Sequence, residues 1–134
     1  MKYNQIIIEE KEHELLKNMI TAAQNYSDRT YNLSLRRLKK ELESAKIVSI
    51  DEIPEDVIRM NSTVTVQMPA NVIRDFTIVM PEKSNLEQNK LSVLSPMGLA
   101  LLGYAANDEI LWQFPAGEAK ITILKVTQSY NYST

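Results

Sequence analysis

Along the first 46 residues the apolar positions recur at helical spacing. Leu15, Leu16, Met19, Ile20 and Ala23 follow one another at three- and four-residue steps, which predicts an amphipathic helix over residues 10–25. The stretch Asn25-Tyr26-Ser27-Asp28-Arg29-Thr30-Tyr31-Asn32 is polar and turn-prone. Leu35, Leu38, Leu42 and Ala45 then give a 3-4-3 spacing, as along a helix–helix seam, with Asn32 or Ser34 placed to cap the start. Two helices joined by a short polar loop predict an antiparallel hairpin, a short coiled-coil arm roughly 21–24 Å long at about 1.5 Å per residue.

After residue 56 the period changes to two. Val57–Met60, Thr63–Gln67 and Arg74–Val79 are rich in β-branched residues and predict strands, with turns at Asn61-Ser62 and Pro69-Ala70-Asn71. Ser95-Pro96-Met97-Gly98-Leu99-Ala100-Leu101-Leu102-Gly103 predicts a short helix: Ser95 caps it, Pro96 takes the first helical position, and Gly103 lies past its end. Glu109–Phe114 and Ala119–Thr127 predict an antiparallel pair turning through Pro115-Ala116-Gly117. All five prolines and all three glycines lie after residue 53. The reading is an α+β chain: residues 1–46 a helical-hairpin arm, residues 47–134 an antiparallel sheet packed on one short helix.

Composition narrows the chemistry. About 59 of the 134 residues are hydrophobic, 44%, enough for one core. The chain has no cysteine, which removes disulfides, thiolate nucleophiles and sulfur-rich zinc sites. His13 is the only imidazole, and on a helix between Glu12 and Glu14 it reads as a surface residue. Trp112, in an apparent strand, reads as core or half-buried. No secretory signal is visible, and the longest charge-free run, Leu91–Asn107, is 17 residues interrupted by Pro96, Gly98 and Gly103. A membrane span needs about 20 apolar residues. These bounds predict a soluble cytoplasmic protein. Residues 1–46 carry nine Lys/Arg against seven Asp/Glu, residues 47–134 six against ten. That balance argues against coating duplex DNA, and sequence-specific DNA binding is not expected.

The second half resembles a known family. Asn61-Ser62-Thr63-Val64-Thr65, the run from Leu91 to Gly103, and Asn107-Asp108-Glu109 followed by Pro115-Ala116-Gly117 look like the C-terminal domain of bacterial Gre transcript-cleavage factors. Asn107 stands where the family has a glycine, a mild departure because asparagine tolerates a left-handed turn. The linker Asp51–Ser62, with its Met60-Asn61-Ser62, is similar to the branch of that superfamily called regulator of nucleoside diphosphate kinase. The resemblance covers about residues 47–128; the arm matches in length and helical character.

The resemblance implies an FKBP-like domain that binds bacterial RNA polymerase at the rim of its secondary channel, and an arm that enters the channel. In Gre factors, tip carboxylates help hold the second magnesium for hydrolysis of backtracked RNA. Such chemistry needs hard oxygen ligands, usually a pair. Here Asp28 is the only carboxylate between Glu14 and Glu41. The expectation is therefore a non-enzymatic, polymerase-binding transcription regulator that competes with Gre factors, without cofactor or metal of its own. The alternative is a cleavage factor using Asp28. A more distant one is an FKBP-like prolyl isomerase, against which stands the small number of aromatics between residues 57 and 127: Phe76, Tyr104, Trp112 and Phe114.

The candidate residues fall into three groups, each with two readings. At the arm tip, Asp28 is a turn residue or a channel contact. Tyr26 and Tyr31 beside Arg29 either close the hairpin or meet protein or RNA. On the arm, Arg36, Arg37, Lys39 and Lys40 form a solvated basic face or touch polymerase acids or the RNA 3′ end. Leu94, Ser95, Pro96 and Met97 form a helix start or the polymerase-rim contact, where Leu94 and Met97 supply adaptable apolar surface. Asp108 reads as a turn residue.

Overall fold

The structure is a computed structural model and describes residues 2–3, 5–23, 29–114 and 117–128, with the side chains of residues 23, 29–31, 34, 112 and 114 left out. Asn25, Tyr26, Asp28, Pro115 and Ala116, and the side chains of Arg29, Tyr31, Trp112 and Phe114, thus lie outside the described set.

Residues Ile6, Ile7 and Ile8 are all buried, and Ile7–Glu9 forms a strand, β1, that pairs in parallel with β2, Lys46–Val48. Neither strand is visible in the periodicity, because a three-residue strand is defined by its partner. Between them run α1, Glu10–Ala23, and α2, Arg29–Glu43. Glu9 itself ends β1 and caps α1: its Oε2 accepts from the Glu12 amide at 2.9 Å. The helix pattern holds at Leu16, Ile20, Leu35, Leu38 and Leu42, all nearly inaccessible, while Leu15 falls on the exposed side of α1. Helix α2 begins at Arg29, so Asn32 and Ser34 lie inside it instead of capping it.

The second half builds a five-stranded sheet in the order β5-β4-β3-β7-β6. Its strands are β3, Thr63–Met68; β4, Val72–Val79; β5, Lys90–Ser92; β6, Glu109–Phe114; and β7, Gly117–Thr127. All pairings are antiparallel except β4 with β5, so the expected purely antiparallel sheet is mixed. Residues 57–60 were expected as a strand but form a single bridge, Val57 with Ala105. Ile58 exchanges backbone bonds with Gly103 and Tyr104, and the partner segment is too short to extend the ladder. The β3–β4 turn places Ala70 and Asn71 at φ of 65° and 59°, and Asn107 takes φ 75°, the left-handed turn that its place in the motif demands. Gly103, at φ +85°, faces the Ile6 side chain, with which an added Cβ would collide.

Helix α3, Pro96–Leu101, lies under the sheet, and α2 packs on both α3 and β6. One hydrophobic cluster therefore runs from Leu16, Ile20, Leu35, Leu38 and Leu42 through Leu99–Leu102 to Val64, Val66, Ile110, Ile121 and Ile123. The helical segment and the sheet share a core across residue 46.

Candidate functional site

The corner before α3 is built from its own backbone. Ser95 Oγ accepts from the Gly98 amide at 3.1 Å and donates to the Ser92 carbonyl at 2.7 Å. Ser92 Oγ in turn accepts from the Leu94 amide at 3.0 Å. Pro96 occupies the first helical position, where its missing N–H costs nothing. Gly98 lets the helix press onto the loop, since a Cβ there would sit 2.3 Å from the Ser92 carbonyl oxygen. The result is a rigid corner on which Leu94, Ser95, Pro96 and Met97 are all half-buried. Leu94 and Met97 also rest against the core, so each offers only part of its surface to a partner.

Arg36, Arg37, Lys39 and Lys40 of α2 are all exposed but differently used. Arg37 Nη1 donates to the Leu111 carbonyl on β6 at 3.0 Å, and its Nε lies 3.4 Å from Glu41 Oε1. Arg37 thus ties α2 to the sheet edge, while Arg36 and Lys40, one turn apart, and Lys39 stay at the surface. Since α2 packs on α3, the basic helix and the Ser95–Met97 corner belong to one body. Of the arm-tip candidates, Tyr26 and Asp28 lie outside the described residues, and Arg29 and Tyr31 are placed in the first turn of α2 by backbone alone.

Sequence reasoning missed the residues that anchor the helices. Glu12 Oε1 accepts from the Met60 amide at 2.8 Å, and its Oε2 accepts from Arg59 Nε at 2.9 Å and pairs with Nη2 at 2.8 Å. His13 is half-buried, and its Nε2 lies 3.0 Å from the Leu42 carbonyl, which requires that nitrogen to carry the proton. It bridges α1 to the last turn of α2 instead of standing in solvent. The spacing of Glu9 and Glu12 at a helix start was the available signal. Asp108, 4% exposed, accepts from the Ala105 amide at 2.9 Å and from the Lys2 amide, which bears out its reading as a turn residue.

Glu41 also faces inward. Its Oε2 is buried with no hydrogen-bond partner among the described residues, and burial raises its carboxyl above the ordinary glutamate range, opposed by Tyr104 and Arg37. Tyr104 is pushed up to about 12, by burial first and by the Glu41 charge second. For an acid whose folded pKa is raised, the stabilising contribution is complete below the unfolded pKa and is lost as pH climbs through the folded one. Stability is therefore expected to fall between the ordinary tyrosine pKa of about 10 and pH 12, by roughly 2–3 kcal/mol for this group. Urea unfolding of wild type and Tyr104→Phe across that range checks it: the loss should shrink by that amount in the variant. At the acidic end, Glu41→Gln should flatten the decline that begins above the ordinary glutamate pKa.

Comparison with known proteins agrees with this geometry. A family model described as transcription elongation factor GreA/GreB, C-terminal, matches residues 53–128. The regulator of nucleoside diphosphate kinase of Escherichia coli K12 is 40% identical over 83 residues, 61% of this chain and 61% of that protein. The transcription elongation factor GreA of Chloroflexus aurantiacus is 36% identical over 93 residues, 69% of this chain and 59% of that protein. The chain thus matches about three fifths of the length of these curated relatives. Among solved structures, the prokaryotic transcription elongation factor GreA/GreB from Nitrosomonas europaea superposes with a TM-score of 0.71 at 33% identity, covering 92% of this chain and 98% of that one. The matched segment begins just before the Val57–Ala105 bridge and holds the Ser95–Gly103 corner and the whole five-stranded sheet, and on that match the chain belongs to the GreA/GreB family of transcription elongation factors.

Proposed function

We propose that the protein is a non-enzymatic transcription regulator that binds bacterial RNA polymerase at its secondary channel, in the cytoplasm, and competes there with Gre factors. Residues 47–134, an FKBP-like domain, dock on the channel rim through Leu94, Ser95, Pro96 and Met97. Residues 1–46, an antiparallel helical hairpin, enter the channel with Tyr26, Asp28, Arg29 and Tyr31 at the tip. Arg36, Lys39 and Lys40 meet polymerase acids or the RNA 3′ end, while Arg37 stays tied to β6. The observation that carries the reading is that Asp28 is the single carboxylate in the sequence between Glu14 and Glu41, together with helices α1 and α2 of only 14 and 15 residues. A hydrolytic metal site needs more oxygen ligands than that. A prolyl isomerase pocket is disfavoured too: Phe76 packs on the core and Tyr104 is buried beside Glu41. Among the described residues, no helix is long and apolar enough to cross a membrane.

The test is competition with a labelled Gre factor for core polymerase, with RNA cleavage in a stalled complex read in parallel. Displacement at micromolar concentration without cleavage is expected. Met97→Asp, and separately Arg36→Glu with Lys40→Glu, should weaken displacement about tenfold or more, a difference of about 1.4 kcal/mol. The second pair is exposed and spares the fold. Asp28→Ala should leave rim binding intact. New cleavage that is lost in Asp28→Ala would establish the cleavage-factor alternative, and no displacement would overturn both.

A further inference from the structure

A groove of about 360 Å³ lies between α1 and α2 and reaches β2, within the range of small-molecule sites. Ile20 and Leu42, both buried, form its floor, and Ile47 stands over it with 49% of its surface exposed. Pairing of β2 with β1 fixes the Ile47 backbone, so this side chain is held at the groove. The neutral polar groups of the wall are already satisfied: His13 Nε2 by the Leu42 carbonyl, and Thr21 Oγ1, which donates to the Lys17 carbonyl at 2.9 Å. The charged groups are not. Lys17 from α1, and Lys39 and Glu43 from α2, line the groove, yet none enters an ion pair among the described residues. Lys39 and Glu43 are one helical turn apart and still do not pair. Two unpaired cations from separate helices, lining one groove with an apolar floor, are complementary to one anionic group on an apolar body.

We propose that this groove binds a small amphipathic organic anion, its aliphatic or aromatic body on Ile20, Leu42 and Ile47 and its carboxylate or phosphate between Lys17 and Lys39. Glu43 repels a second anionic group at its end of the groove. The site shares Lys39 with the basic face proposed to meet polymerase, whereas Lys17, Ile47 and the apolar floor of Ile20 and Leu42 have no part in that proposal.

The test is an NMR titration of the full chain with octanoate, adenosine monophosphate and inorganic phosphate. Octanoate or adenosine monophosphate should give saturable shifts centred on Ile20, Leu42 and Ile47 at submillimolar concentration. Whichever of the two binds identifies the anion as carboxylate or phosphate. Inorganic phosphate, lacking the apolar body, should not saturate. Lys17→Ala with Lys39→Ala should weaken binding about tenfold or more. Ile47→Ser should weaken it several-fold, and all three positions are exposed enough to spare the fold. Overturning results are the absence of saturable shifts with both organic probes at several millimolar, phosphate alone binding as well as they do, or shifts that centre on Arg36 and Lys40.

Discussion

Gly98→Ala is expected to destabilise the protein by about 3 kcal/mol or more, lowering Tm by roughly 10 °C. The cause is steric. The new methyl would lie 2.3 Å from the Ser92 carbonyl oxygen, 2.8 Å from that of Val93 and 2.9 Å from the Val93 carbonyl carbon. All three are backbone atoms, so no side chain can swing aside. Relief requires α3 to lift off the loop, which separates Ser95 from the amide it caps and loosens Leu99–Leu102 in the core. Urea unfolding measures the loss directly. If Gly98→Ala unfolds at the wild-type midpoint, the close approach of α3 to residues 92–93 is wrong. The same variant is expected to weaken the polymerase docking proposed above, because the corner bearing Leu94–Met97 moves with the helix.

Glu12→Ala is expected to cost about 2–4 kcal/mol. Its carboxylate holds the Arg59 guanidinium at two nitrogens and the Met60 amide at a third point, and the two side chains are only 15% and 21% exposed. Removing it leaves a largely buried cation and a backbone donor without their acceptor, the costly way to break an ion pair. Glu12→Gln should fall between, since the amide oxygen can still accept one of these bonds. The double variant Glu12→Ala/Arg59→Ala should lose clearly less than the sum of the single ones, because the stranded charge is gone. Additive losses would mean that the pair contributes nothing as a pair.

What the sequence made legible is what local chemistry decides. The cap of α3, its first-turn proline, and the left-handed Asn107 follow from residue types acting on their own backbone within a few positions. The buried stripe of α2 follows from one period. What stayed hidden depends on partners far along the chain. β1 exists because residue 7 meets residue 46, and β5 because it lies parallel to β4. Val57–Met60 reads as a strand from its β-branched content, but in the fold its long-range backbone partners are confined to the short segment Gly103–Ala105. For the candidate site, the Ser95–Met97 corner was readable as a helix start. Arg37 was not separable from its basic neighbours until the Leu111 carbonyl was seen beside it. Glu12 looked like one acid in a charged run, and only the fold brings Arg59 and Met60 to it.

The parallel pairing of β1 and β2 makes helix length a free variable. Ile7 is matched to Lys46 and Glu9 to Val48, so the chain enters and leaves the helical pair side by side, whatever lies between. At about 1.5 Å per residue, α1 and α2 are each a little over 20 Å long, and α1 ends at Ala23 while α2 starts at Arg29. Matched insertions there, in steps of seven residues, keep the apolar seam in phase and touch neither the strand register nor the Glu12–Arg59 anchor. Doubling the intervening chain adds only about 0.6 kcal/mol of closure entropy. Proteins built on this plan can therefore carry helical segments of quite different length on one unchanged base.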